Sequence, residues 1–167
     1  PHSLPMVAPQ HENESPMTAT LHATEGNPVP EGTTADYLTL RNGRKLRHAY
    51  LPAQSADSKG TVIILHGRNE CIEKYFETMQ ELSSRGFATA TFDWSGQGGS
   101  DRLIQDHHRG YIGKFSDYVD ELEHFMTEVA LPDYRGPFYI LAHSTGSLAA
   151  LLAAPMMANR IRRMVLL

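Results

Sequence analysis

Residues 138–152 change character in mid-run. Phe138-Tyr139-Ile140-Leu141-Ala142 is a short apolar stretch, and His143-Ser144-Thr145-Gly146 is a turn that carries one serine. Ser147-Leu148-Ala149-Ala150-Leu151-Leu152 then restarts as an Ala/Leu-rich run. The first piece fits a buried strand and the last a helix. The turn between them must be tight enough that only small side chains fit around the serine, which accounts for Ala142 before it and Gly146 after it. Such a step holds the Ser144 hydroxyl off the end of a sheet, beside the unpaired N–H groups that open a helix.

The same alternation runs through most of the chain. Thr61-Val62-Ile63-Ile64-Leu65 is β-branched and apolar without polar alternation, the mark of a strand buried on both faces of a parallel sheet. It ends at His66-Gly67, and a helical pattern follows with Tyr75, Phe76, Met79 and Leu82 on one face. Phe87–Phe92 is a further strand running into the Gly-rich loop Asp93-Trp94-Ser95-Gly96-Gln97-Gly98-Gly99-Ser100-Asp101. Residues 116–129 read as a helix with Tyr118, Val119, Leu122, Phe125, Met126 and Val129 inward. Asp117, Asp120, Glu121, Glu123 and Glu128 are expected to form its solvated face. Met164–Leu167 reads as the interior of another strand. Strands and helices in this order call for parallel strands with right-handed crossovers.

Ahead of this lie two strands, Asp36–Leu40 and Lys45–Leu51, joined around Asn42-Gly43, a strong hairpin signal. Residues 1–34 are rich in Pro, Thr, Glu, Asn and His, with too little apolar surface to offset their ordering entropy. They are expected to be disordered or draped over one domain spanning residues 35–167. His2, His11 and His22 are too widely spaced for metal ligands, and no metal is expected.

Composition removes several function classes. A formal charge of −4 with no Lys/Arg cluster argues against a nucleic-acid surface. Arg160, Arg162 and Arg163 read as compensation of a helix C-terminus. The single cysteine, Cys71, forms no internal disulfide and reads as packing. No apolar run is long enough to span a bilayer. A dinucleotide reading of Gly96-Gln97-Gly98 fails because Asp101 stands where the third glycine belongs and residues 106–110 are loop-like.

Three motifs, His66-Gly67-x-x-Glu70, Asp93-Trp94-x-Gly96-Gln97-Gly98-Gly99-Ser100-Asp101-Arg102 and Ala142-His143-Ser144-x-Gly146, together resemble the lysophospholipase and monoglyceride lipase branch of the α/β-hydrolases. The resemblance covers residues 36–167. It implies an α/β-hydrolase fold: a mostly parallel sheet with an N-terminal antiparallel hairpin. It also implies Ser144 as nucleophile and the backbone N–H groups of Arg68 and Thr145 as the oxyanion hole. His66, Gly67, Asp93, Gly96, Gly98, Ala142 and Gly146 would be the structural motif around them, with the His66 side chain packing beneath the site. The chain departs from the family's pattern in Ala142 for the first elbow Gly, Thr145 for Met and Ser147 for Gly. Ser95 also replaces an Arg, which puts the loop's usual ion pairing in question.

By the same resemblance the substrate is a small-molecule lipid ester, a lysophospholipid or monoacylglycerol, handled without a cofactor. The protein would be cytoplasmic, with peripheral membrane contact and oligomeric state left open. In this fold the triad acid and base follow the nucleophile, yet residues 145–167 hold no Asp, Glu or His. The chain is therefore expected to be the N-terminal part of such a hydrolase, ending before the last strands and the lid, and inactive alone. Peptidase, thioesterase or haloperoxidase chemistry, or a non-catalytic binding role, remains open at this point.

Overall fold

The computed structural model describes residues 18–167. His2, His11 and the first half of the expected tail lie outside the described residues. Residues 18–33 lie against the domain. The Ala19 N–H donates to Ala35 O at 3.2 Å, and Leu21 and Val29 pack on apolar side chains of the sheet.

Strands β1 (Thr34–Thr39) and β2 (Lys45–Leu51) form the antiparallel hairpin, in register from Thr34 opposite Tyr50 to Thr39 opposite Lys45. Its turn closes through Gly43 at φ +82°, a left-handed conformation that glycine adopts without strain. Then come β3 (Thr61–Leu65), a 3₁₀ turn over Ile72–Tyr75, α1 (Phe76–Ser84) and β4 (Ala88–Phe92). After a long loop, α2 (Phe115–Phe125) runs through a π-helical turn, Met126–Ala130, into the short α3 (Leu131–Asp133). The chain continues as β5 (Phe138–Ala142), α4 (Thr145–Met157) and β6 (Ile161–Leu166).

The six strands form one sheet in the order β1-β2-β4-β3-β5-β6. β2 pairs antiparallel with β1 and β4, whereas the β4–β3, β3–β5 and β5–β6 pairings are parallel. Both faces are covered, which is why β3 shows no polar alternation and why Thr89 and Thr91, alternating with alanine in β4, are buried as well. Ile63, Leu65, Ala90, Phe92, Ile140 and Ala142 meet α2 and α4 on one face. Val62, Ile64 and Leu51 meet Ile72, Phe76 and Met79 on the other. Ala149, Ala150 and Ala153 are fully buried, so α4 approaches its neighbours closely. Its opposite side, with Leu148, Leu151, Leu152 and Met156, is exposed.

Two expectations need correction. Glu121 is not on a solvated face: it is buried, and its Oε2 accepts from the Ser95 N–H at 3.1 Å. Burial pushes its carboxyl above the ordinary carboxylate range. Helical periodicity had grouped it with the acidic residues, but the Gly-rich loop after β4 closes over that part of α2. Arg162 and Arg163 belong to β6 rather than to a helix end, with Arg163 opposite Tyr139 of β5.

Strand order decides where a ligand could sit. From β3 the chain steps to β4 on one side, and from β4 it crosses back to β5 on the other. Helix α1 after β3 and α4 after β5 lie on opposite faces, so the loops leaving these adjacent parallel strands diverge. In open α/β sheets the crevice at such a reversal, outside the carboxyl ends of the strands, is where ligands bind.

Candidate active site

Ser144 stands at that crevice, two residues past the end of β5 and immediately before the first turn of α4. Its backbone has φ 52° and ψ −116°. A non-glycine residue held there costs on the order of 1–3 kcal/mol and persists only where its surroundings enforce it. On its strand side the His143 N–H donates to Leu65 O at 3.0 Å. On its helix side the Ser147 N–H donates to Ser144 O at 2.9 Å. Ala142 is buried opposite Leu65. Gly146 faces main chain: a Cβ there would sit 2.5 Å from Leu65 O and 2.8 Å from His66 O. No side chain fits, which is the physical content of the small residue expected at this position.

The facing loop follows β3. Gly67 comes so near that a Cβ on it would be 3.2 Å from the Ser144 Cβ and 3.0 Å from His143 Nδ1. The only other described non-glycine residue at positive φ is Asn69, at 59°, so both strained positions flank this crevice. His66 is fully buried, and its Nδ1 lies 2.7 Å from Gly67 O. That contact fixes the Gly67–Arg68 peptide plane, whose other side carries the Arg68 N–H. Sequence reasoning gave His66 a packing role; the structure adds this bond. Among the described residues no acceptor takes the N–H of Arg68 or of Thr145. Thr145 opens a helix of 13 residues, so its N–H also lies at the positive end of a helix dipole.

Beneath the loop lies a buried ion network. Asp93, fully buried at the end of β4, accepts from Ile72 N at 2.9 Å, Gly99 N at 2.8 Å and Arg47 Nε at 2.7 Å. Its Oδ1 is 3.5 Å from His66 Nε2. Burial pushes the Asp93 carboxyl up, but His66 and Arg47 outweigh it and hold it below its ordinary range. Arg47 also donates from both terminal nitrogens to Glu73, at 2.7 Å each. Burial alone would lower the Arg47 pKa; Glu73 and Asp93 raise it instead. A Cβ on Gly98 would fall 2.1 Å from Asp93 Cγ, and one on Gly96 would fall 2.7 Å from Tyr111 O. The pairing placed in question by Ser95 is thus supplied from β2. Sequence reading missed Arg47 and Glu73 because 46 residues separate Arg47 from Asp93 and 26 separate it from Glu73. Cys71 is half-buried beside this network and free, and burial raises its thiol pKa.

His107 and His108 are exposed on the loop before α2, and His143 directs Nδ1 to Glu70 at 3.3 Å. No described histidine hydrogen-bonds the Ser144 hydroxyl. No described group of His, Cys, Asp or Glu could hold a metal ion, and no described helix is long and apolar enough to cross a membrane.

A six-stranded, mostly parallel sheet in this order with an antiparallel N-terminal pair is the α/β-hydrolase fold, without its last strands. The family model described as serine aminopeptidase S33 matches residues 56–167, and the chain belongs to that family. It is 42% identical over 85 residues to lysophospholipase L2 of Escherichia coli (strain K12), covering 51% of this chain and 25% of that protein. It is 28% identical over 130 residues to monoglyceride lipase of Saccharomyces cerevisiae, covering 71% and 39%. Among solved structures, the mouse alpha/beta hydrolase domain-containing protein 10 superposes with a TM-score of 0.64 at 18% identity, covering 80% of this chain and 48% of that one. The chain therefore spans a quarter to two-fifths of the length of these two curated relatives.

Proposed function

We propose that the protein of which these residues form part is a serine hydrolase of carboxylic esters, with monoacyl lipids as substrate class and Ser144 as nucleophile. The observation that carries this reading is the forced backbone of Ser144, beside two N–H groups that no acceptor among the described residues engages. In the reaction, Ser144 Oγ attacks the ester carbonyl and its proton passes to a general base. The Arg68 and Thr145 N–H groups hold the oxygen that becomes negative, and the alcohol leaves as the acyl-enzyme forms. Water then releases the fatty acid by the same path.

Support for the lipid class is the pair of curated relatives named lysophospholipase and monoglyceride lipase. No described histidine reaches Ser144, and the chain spans only a quarter to two-fifths of these relatives, so we assign the general base and its acid partner to a part of the protein other than the described residues. Alone, these residues are expected to turn esters over negligibly. The test is hydrolysis by the full-length protein of lysophosphatidylcholine, monooleoylglycerol and an aminoacyl-p-nitroanilide, beside its Ser144→Ala variant. Ester turnover lost in the variant supports the reading. Turnover confined to the anilide makes the protein a peptidase, and no turnover of any of the three favours a binding role.

A further inference from the structure

Three consecutive backbone N–H groups line the loop after β3, and their fates differ. The Gly67 N–H donates to Glu70 Oε2 at 2.7 Å, and the Asn69 N–H donates to Gln97 Oε1 at 2.6 Å. The Arg68 N–H between them meets no protein acceptor among the described residues. Neither Glu70 nor Gln97 is incidental to the packing. The Glu70 carboxylate is 8% exposed, and it also accepts from Lys74, from the Tyr75 hydroxyl at 2.7 Å and from His143 Nδ1 at 3.3 Å. Burial pushes this carboxyl up, but these donors outweigh it and hold it at about 2, so it is charged at every ordinary pH. Gln97 is buried in the Gly-rich loop after β4, and its Nε2 donates to the Tyr118 hydroxyl of α2 at 3.2 Å.

We propose that Glu70 and Gln97 are positioning residues that set the oxyanion hole, by engaging the N–H groups on either side of Arg68 and leaving Arg68 alone aimed at the crevice. Glu70 does more than Gln97. Its Oε2 takes a bond from the loop, at Gly67, and another from the residue preceding the nucleophile, His143. One carboxylate thereby keeps the two halves of the hole in register, the Arg68 donor on the loop and the Thr145 donor on the elbow. Gln97 fixes the far side, where Asn69 is held at positive φ. Without these acceptors the loop peptides are free to rotate. The Arg68 donor then leaves the position where charge develops, while ground-state ester binding changes little. This inference rests on the serine-hydrolase reading above.

The experiment compares the full-length protein with Glu70→Ala, Glu70→Gln and Gln97→Ala, using p-nitrophenyl butyrate for kinetics and amide hydrogen exchange for the loop. Removing an oxyanion donor outright costs about 10²–10³ in kcat, so misplacing one is expected to cost about 10–100-fold, with KM within about threefold. Glu70→Gln, which keeps an acceptor for Gly67, is expected to recover most of that loss. In the parent the Gly67 and Asn69 amides should exchange slowly and Arg68 fast, with Gly67 protection lost in Glu70→Ala. If Glu70→Ala does not fold, Gln97→Ala and the loss of Asn69 protection decide. Unchanged kcat in the Ala variants, or a rise in KM alone, would overturn the proposal. So would a protected Arg68 amide in the parent. The nucleophile is judged separately: Ser144→Ala retaining full turnover refutes the serine reading, whatever the exchange pattern.

Discussion

The elbow at Ser144 and the loop facing it meet within van der Waals contact, yet they are built in opposite ways. The elbow is local. Ala142, Ser144 and Gly146 lie within five consecutive residues, and strand, turn and helix follow from their own sequence. The facing loop is assembled from afar: Arg47 of β2 and Asp93 and Gln97 after β4 converge on residues 66–73, with Tyr118 of α2 behind Gln97. The elbow's backbone is thus enforced by tight main-chain contact, and the facing loop by buried charge together with the Gln97 amide that holds Asn69. The lesson is that half of a site can be read from a motif, while the half that aims it depends on the tertiary fold.

The largest expected effect breaks the charged side. Asp93→Ala removes the carboxylate between Arg47 and His66 and leaves the Arg47 cation short of a partner in the interior. It should cost about 3–5 kcal/mol in urea unfolding, because a buried pair loses most when one member is removed. A cost below about 1 kcal/mol would mean the network is not what holds the loop. Next, Gly146→Ala drives a Cβ into Leu65 O and His66 O, both backbone atoms that cannot step aside. About 2–3 kcal/mol of stability should go, as for other overpacked sites. If the local elbow tolerates alanine, the comparison fails on that side.

A smaller effect follows pH. Glu70 is held at about 2 in the folded chain against about 4.3 for an unfolded glutamate. Its contribution is therefore complete above about pH 4.5 and lost as pH falls toward 2. Asp93 and Glu73, also held low, titrate in the same direction, so the difference between parent and Glu70→Gln isolates Glu70. The parent's advantage at pH 6, about 1–2 kcal/mol, should shrink at pH 3. Glu121 has the opposite sign. Its carboxyl is raised, so the folded state loses stability as pH rises through its pKa. Glu121→Gln, which keeps an acceptor for the Ser95 N–H, should be neutral or stabilising by up to about 1 kcal/mol at pH 7.

The difference in construction also explains what was legible in the sequence. Period and turn chemistry placed the hairpin around Asn42-Gly43, strands β3 to β5 and the helices between them. They also placed β6, through Met164–Leu167, because each is specified by its own residues. Ser144 and Gly146 stood out for the same reason. Arg47 did not, since nothing near it in the chain marks a buried cation. Glu70 was visible only as the third residue after His66-Gly67, and its grip on Gly67 and His143 becomes evident once β3 and β5 lie side by side. Glu121 was misread because helical periodicity reports the side facing the sheet and is silent about a loop folded over the other side.

The central claim is that Ser144 is a nucleophile activated by its surroundings, and covalent labelling tests it most directly. The full-length protein would be treated with a fluorophosphonate, and the adduct mapped by mass spectrometry of its peptides. The account predicts one stoichiometric adduct on the peptide carrying Ser144, absent from a folded Ser144→Ala variant. Labelling of another serine, or an unlabelled parent that still hydrolyses esters, would contradict it.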